Sequence, residues 1–271
     1  MSTKKTKQIL MSRIDLAIIE EIIARCGDLT RFNCIYKALA GEYSKAEVTN
    51  KIVKLKKAGW LVTVKQGTYA VTNIGSHNFA NISPLVISPV FVPDSYVSFE
   101  FALNHHGFFD QLPNKVTAVT PLKSKKYRFQ NLDYIFVKAK PEMMTGFKEM
   151  TIDGQKARVA EIEKALLDFL HFRKDSYTVD LVLEKLKEAK GEIDPEKLAD
   201  YASLYPITIQ RRIGFLSDIT GLDSGKLYEN IKNTPGFAKL TKTSTKFNAK
   251  WRLYFEDRFV KQGSALHCQQ E

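Results

Sequence analysis

The sequence predicts an α+β protein of two domains, and three observations carry that expectation. At 271 residues the chain is long for a single core. Helical periods fill the first quarter and run into a short alternating stretch, whereas residues 115–160 alternate repeatedly before further helical runs. Between these blocks, residues 74–93 hold three prolines, little charge and no clean period, which marks a connection. The expected boundaries are a first domain at 1–76, a linker at 77–93, a second domain at 94–262 and a tail at 263–271.

Taken in order, MSTKKTKQ is polar and basic and is expected to be disordered. Ser12 caps a helix RIDLAIIEEIIARC that Gly27 stops. Asp28 or Thr30 caps a second, RFNCIYKALA, with Phe32, Ile35, Tyr36 and Leu39 on its apolar face. Ser44 with Glu47 forms a capping box for a third helix, ended by Gly59, with Val48, Ile52 and Leu55 turned inward. WLVTVKQ and TYAVT alternate about a turn at Gln66-Gly67 and read as a hairpin. Three helices and a hairpin in this order describe a winged helix-turn-helix.

From Asp94 or Ser95 a helix over YVSFEFALNHHG is expected, then a small, mostly antiparallel sheet from KVTAVT, KKYRFQ, LDYIFVKA, FKEMTI and QKARVA. EIEKALLDFLHFR is an amphipathic helix. Further helices follow near 178–190, 195–204, 207–220 and 224–232, and KFNAKWRLYFE closes the domain as a strand.

Lys plus Arg number 41 against 30 acidic residues, a formal charge of +11 that favours polyanionic partners. The excess is concentrated, since residues 1–75 hold 13 basic and 6 acidic side chains. On the third helix, Lys45, Thr49, Asn50, Lys54 and Lys57 face away from the core and suit base edges and phosphates in a major groove, while Lys65 and Gln66 at the wing suit backbone or minor groove. Three cysteines without a C-x-x-C pair argue against a disulfide framework or structural zinc, and suit a reducing cytoplasm. No stretch is long enough to span a bilayer without a charge or proline, so no membrane partner is expected.

The runs YVSFEFALNHHGFFDQLP (96–113) and VAEIEKALLDFL (159–170) resemble the paired signatures of the AbiEi family, antitoxins of type IV toxin–antitoxin systems. The order of parts is also similar, from a hairpin with Gly59-Trp60-Leu61 to a strand bearing Trp251. The resemblance implies a cytoplasmic prokaryotic protein that binds promoter repeats as duplex DNA, represses its own operon and counters a nucleotidyltransferase toxin without requiring a stable complex. It places an antitoxin surface at Ser98, Asn104, Lys164 and Asp168, the polar positions between two helices whose apolar faces are buried; the alternative is that they hydrogen-bond one another, with a buried Lys164–Asp168 pair acting as a structural clamp.

Other constellations read as framework. His105 and His106 point about 100° apart on a helix and cannot share a metal unaided. Glu161, Lys164 and Asp168 share a helix face, but at the spacing of helical ion pairs rather than that of a nuclease. Arg211-Arg212 and Arg173-Lys174 offer a second polyanion surface or scattered surface charge. No phosphate loop or catalytic triad order appears, so neither an enzyme nor a cofactor is expected. The rival readings are a winged-helix regulator with a ligand-sensing or assembly domain, and a nuclease.

Overall fold

The computed structural model describes residues 12–72, 79–111 and 113–264; the basic start at 1–8 and the tail from 265 lie outside them. Helix α1 (Arg13–Cys26) begins where the Ser12 hydroxyl accepts from the Asp15 amide and ends at Gly27, whose φ of 76° suits a residue without a Cβ. The chain then forms strand β1 (Leu29–Arg31), so helix α2 (Phe32–Leu39) is preceded by Arg31 without a side-chain cap, not by Asp28 or Thr30. Helix α3 (Lys45–Lys57) carries the full capping box, with Ser44 and Glu47 bonding reciprocally. Strands β2 (Leu61–Lys65) and β3 (Thr68–Val71) form the hairpin, and β1 pairs antiparallel with β3 to make a sheet ordered β1-β3-β2.

Ile18, Ile22, Ile35, Val48, Ile52, Leu55, Trp60 and Val71 pack as one core between the three helices and this sheet. Two readings change here. Cys26 and Cys34 form a disulfide with Cα atoms 5.9 Å apart, because the short β1 turn brings the end of α1 to the first residues of α2. Residues 84–91, expected as linker, form helix α4 (Pro84–Phe91), with Ser83 capping its start, Pro84 at the first position and Pro89 inside. Leu85, Val86, Ile87 and Phe91 are buried, and a segment apolar on every side shows no period to read.

The described residues divide between two compact units, bounded at Pro93 and Asp94, with residues 151–157 belonging to the first. The second opens with strand β4 (Tyr96–Val97) and only then enters helix α5 (Phe99–His105), a later start than expected. Strands β5 (Lys115–Thr120), β6 (Lys125–Phe129), β7 (Leu132–Lys138), β8 (Phe147–Ile152) and β9 (Gln155–Ala160) complete a six-stranded sheet ordered β6-β7-β5-β4-β9-β8. The sheet is mixed, with antiparallel pairs of β6 with β7 and β4 with β5 beside two parallel ones. β6 and β7 form a hairpin with β6 on the outer edge, which lays β7 parallel to β5, and β4 also pairs parallel with β9.

Helix α6 (Ile162–Phe172) is buried along most of its length. Helices α7 (Ser176–Glu188), α8 (Pro195–Ser203) and α9 (Ile207–Thr220) pack around it, and α10 (Gly225–Ile231) packs on α8 and α9. The closing segment is a small sheet, not one strand: β10 (Ala238–Lys239) runs parallel and β11 (Lys246–Asn248) antiparallel to the central β12 (Leu253–Phe255). Helix α11 (Asp257–Ser264) follows. Trp251 is completely buried; its indole N–H donates to Asp218 at 2.7 Å, and the ring occupies the space beside α9 where Gly214 has no side chain. A Cβ at Gly214 would overlap that ring.

Candidate nucleic-acid interface and buried polar cluster

Helix α3 keeps its apolar residues under cover and leaves Lys45, Thr49, Asn50, Lys54, Lys56 and Lys57 exposed. The face is not uniformly free. Lys54 pairs with Asp15 of α1 at 2.8 Å; burial works against the Asp15 charge, but the Lys54 ammonium and the Ser12 hydroxyl hold its carboxyl below the usual value. Thr49 donates its hydroxyl back to the Lys45 carbonyl. Among the described residues, Lys45, Asn50 and Lys57 therefore remain available donors of this face, with Lys56 beside them over the Tyr69 ring at 5.9 Å. At the hairpin, Gln66 is exposed beside Gly67, which adopts a φ of 74°. Lys65 is committed elsewhere: its ammonium donates to the Phe91 carbonyl at 3.1 Å and to that of Val90, closing the C-terminal end of α4. Lys65 is nonetheless exposed, and these bonds compete with the DNA-backbone role expected of it.

The four residues expected to form an antitoxin surface do not form one. Ser98, Lys164 and Asp168 have no exposed area, and Asn104 is half-buried, donating to the Phe109 carbonyl. The physical reason is that α6 is covered on several sides, so its polar positions had to be satisfied internally. Asp168 Oδ2 accepts from Ser98 at 2.7 Å and Tyr96 at 3.0 Å, and Oδ1 from Tyr205 at 2.6 Å and Lys164 at 3.2 Å. The Lys164 ammonium also donates to the Tyr205 hydroxyl. Four donors on two oxygens use the capacity of one carboxylate, so the centre is closed to a further ligand. Gly146, at φ 74°, lets the Lys164 stem pass, because a Cβ there would come within 3.1 Å of it.

Burial pushes the Lys164 ammonium below its ordinary value against the pull of Asp168. Burial and the Asp168 charge push the Tyr96 and Tyr205 hydroxyls well above theirs, so both remain donors at neutral pH. Tyr205 also forms part of the wall of a cavity of about 590 Å³ with His171, Met143, Lys138 and Lys140.

Glu161 and Glu163 have structural partners. Glu161 accepts from Tyr201 at 2.5 Å and Lys197 at 3.0 Å, and Glu163 accepts from the Asp194 amide. His106 donates to the Ala160 carbonyl at 2.8 Å, while His105 is exposed. The arginine pairs split: Arg211 is buried on the Thr234 and Pro235 carbonyls and Arg173 pairs with Glu100, whereas Arg212 and Lys174 line a second cavity. Tyr96 stands inside a run singled out in the sequence and its role was within reach. Tyr205, 37 residues from Asp168, gave no local signal.

Among the described residues no helix is long and apolar enough to cross a membrane. No protein-family model matches the chain, and no curated protein matches it. Among solved structures, the fold is similar to the crystal structure of the RV2827C protein from Mycobacterium tuberculosis, with 12% identity and a TM-score of 0.67 over 93% of this chain and 95% of that one. At that identity the likeness extends to the fold alone, an α+β architecture shared along nearly the whole chain.

Proposed function

We propose that the protein is a DNA-binding antitoxin and autorepressor of the AbiEi type, cytoplasmic, with the first unit acting as a winged helix. The observation that carries this reading is the exposed face of α3, where Lys45, Asn50 and Lys57 stand unencumbered on a capped helix seated over a continuous core. In this reading α3 enters the major groove of promoter repeats, Asn50 reads a base edge, Lys45 and Lys57 meet phosphates, and Gln66 at the hairpin tip lies along the backbone. Lys54 supports the helix from α1 rather than reading DNA. The second unit counters a nucleotidyltransferase toxin, as the resemblance of residues 96–113 and 159–170 implies.

Fluorescence anisotropy with duplexes from the protein's own promoter tests the first half. Asn50→Ala should narrow the gap between operator and unrelated duplex by about 1–3 kcal/mol. Lys57→Ala should weaken both and reduce the salt slope by about one unit. Unchanged affinity and slope in both variants would remove α3 from the interface.

A ligand-sensing regulator is the second reading, and the cavity beside Tyr205 and His171 is the feature that favours it. Co-expression with the neighbouring toxin separates the two. An antitoxin carrying Asn50→Ala and Lys57→Ala should still rescue growth after repression is lost, whereas a sensor regulator should not rescue at all.

A further inference from the structure

The small sheet β10-β12-β11 turns an unusual face to solvent. Register pairs Tyr254 of β12 with Lys239 of β10 on one side and with Phe247 of β11 on the other, which puts the three side chains on the same face. Phe237, two residues before Lys239, joins them: its ring centroid is 5.5 Å from that of Tyr254, and Phe247 is 5.0 Å from Tyr254 on the opposite side. The other face is the buried one, with Ala238 and Leu253 covered and Phe255 against Phe215 at 5.0 Å. A half-buried sheet ordinarily keeps its solvent side polar. Here Phe237 is 66% and Phe247 50% exposed.

Cations adjoin this aromatic row. Lys239 lies over the Tyr254 ring at 6.0 Å and also lines a cavity of about 640 Å³ with Lys174, Arg212, Lys242, Thr208 and His171. Among the described residues, no carboxylate lines that cavity. Arg212 is fixed at its wall by donating Nε to the Lys239 carbonyl at 2.8 Å. An unbroken set of cations beside exposed ring faces suits a ligand that alternates phosphates with flat bases.

We infer that the outer face of β10-β12-β11 and the cationic cavity beside it form a binding site for single-stranded nucleic acid. Two or three bases stack on Phe237, Tyr254 and Phe247 while the backbone runs past Lys239 to Arg212, Lys242 and Lys174. A duplex keeps its base faces stacked internally and is excluded, so the site is separate from the α3 interface and does not depend on it.

The test is anisotropy of labelled oligo-U RNA and oligo-dT of about 12 nucleotides with the full-length protein, at low and moderate salt. Phe237→Ser and Phe247→Ser should each weaken binding about tenfold. Lys242→Ala should reduce the salt slope by about 0.7. All three should melt as the parent does and bind promoter duplex within about twofold of it, the stacking and phosphate contacts being absent from that complex. Phe247→Trp should retain binding, because the stacking surface is kept. Preference for RNA or for DNA assigns the sugar, and either supports the site. Parent-like affinity in the serine variants, equal competition by duplex, or loss of binding in Lys57→Ala would overturn it. So would capture of an acidic peptide in place of both oligonucleotides.

Discussion

Asp168→Ala should destabilise the second unit by about 3–5 kcal/mol, the cost of removing one partner from a buried ion pair. The change leaves Lys164 with no counter-ion in a site without solvent, and strands the donors of Ser98, Tyr96 and Tyr205. Lys164→Met should cost less, because three hydroxyl donors still hold the carboxylate. Combining Lys164→Met with Asp168→Leu should recover part of the loss, giving a coupling of roughly 0.5–3 kcal/mol in a double-mutant cycle. Urea unfolding followed by the fluorescence of Trp251, which sits in the same unit, measures each variant when all are made in a Trp60→Phe background. Rescue from the toxin should fall in step with stability across the series. Rescue lost at unchanged stability would show that the cluster acts on a partner, and equal unfolding midpoints throughout would show that the pair is not holding the unit together.

Trp60→Ala should cost the first unit about 3–5 kcal/mol through lost burial and the cavity left behind. Trp60 is 5% exposed where α3 gives way to β2, and its carbonyl accepts from the Thr72 amide while the Thr72 hydroxyl donates to the Gly59 carbonyl at 2.7 Å. The ring is therefore set in the core at the point where helix becomes hairpin. Only two tryptophans occur in the chain, so Trp251 becomes the sole indole reporter in this variant. Its transition should stay where it was while amide exchange across α1, α2 and α3 accelerates and duplex DNA binding is lost. An unaltered exchange pattern in those helices would contradict the packing described.

Local chemistry was the legible part of the fold. Ser12, Ser44 with Glu47, and Gly59 announced helix ends because each acts within one turn of itself. The strands from Lys115 to Ala160 were readable because alternation repeats at short range. What escaped depends on partners distant in sequence or on segments too short to show a period. β1 spans three residues and exists because β3 offers it a ladder. The parallel pairing of β5 with β7 comes from where the β6 hairpin folds, which no residue pattern encodes.

The candidate sites divide in the same way. Asn50 and Lys57 were placed correctly as exposed groups by helical spacing alone, but the Asp15 partner that occupies Lys54 lies 39 residues away. Polar residues at 98, 164 and 168 read either as surface, because polarity usually means solvent, or as a buried clamp, and helical spacing alone did not decide between the two. Four hydrogen bonds to one carboxylate made them interior.

The contact of Trp251 with Gly214 limits how this lineage can drift. With the indole against Gly214, even alanine at 214 meets the ring, so every single step there carries an overpacking cost of about 1–3 kcal/mol. Change there has to begin at 251, with a smaller ring that first gives up the hydrogen bond to Asp218. The two positions are thus locked into an order of substitution as well as a geometry. A library varied at both should return residues larger than glycine at 214 only beside residues smaller than tryptophan at 251; free combination would show that α9 can shift to make room.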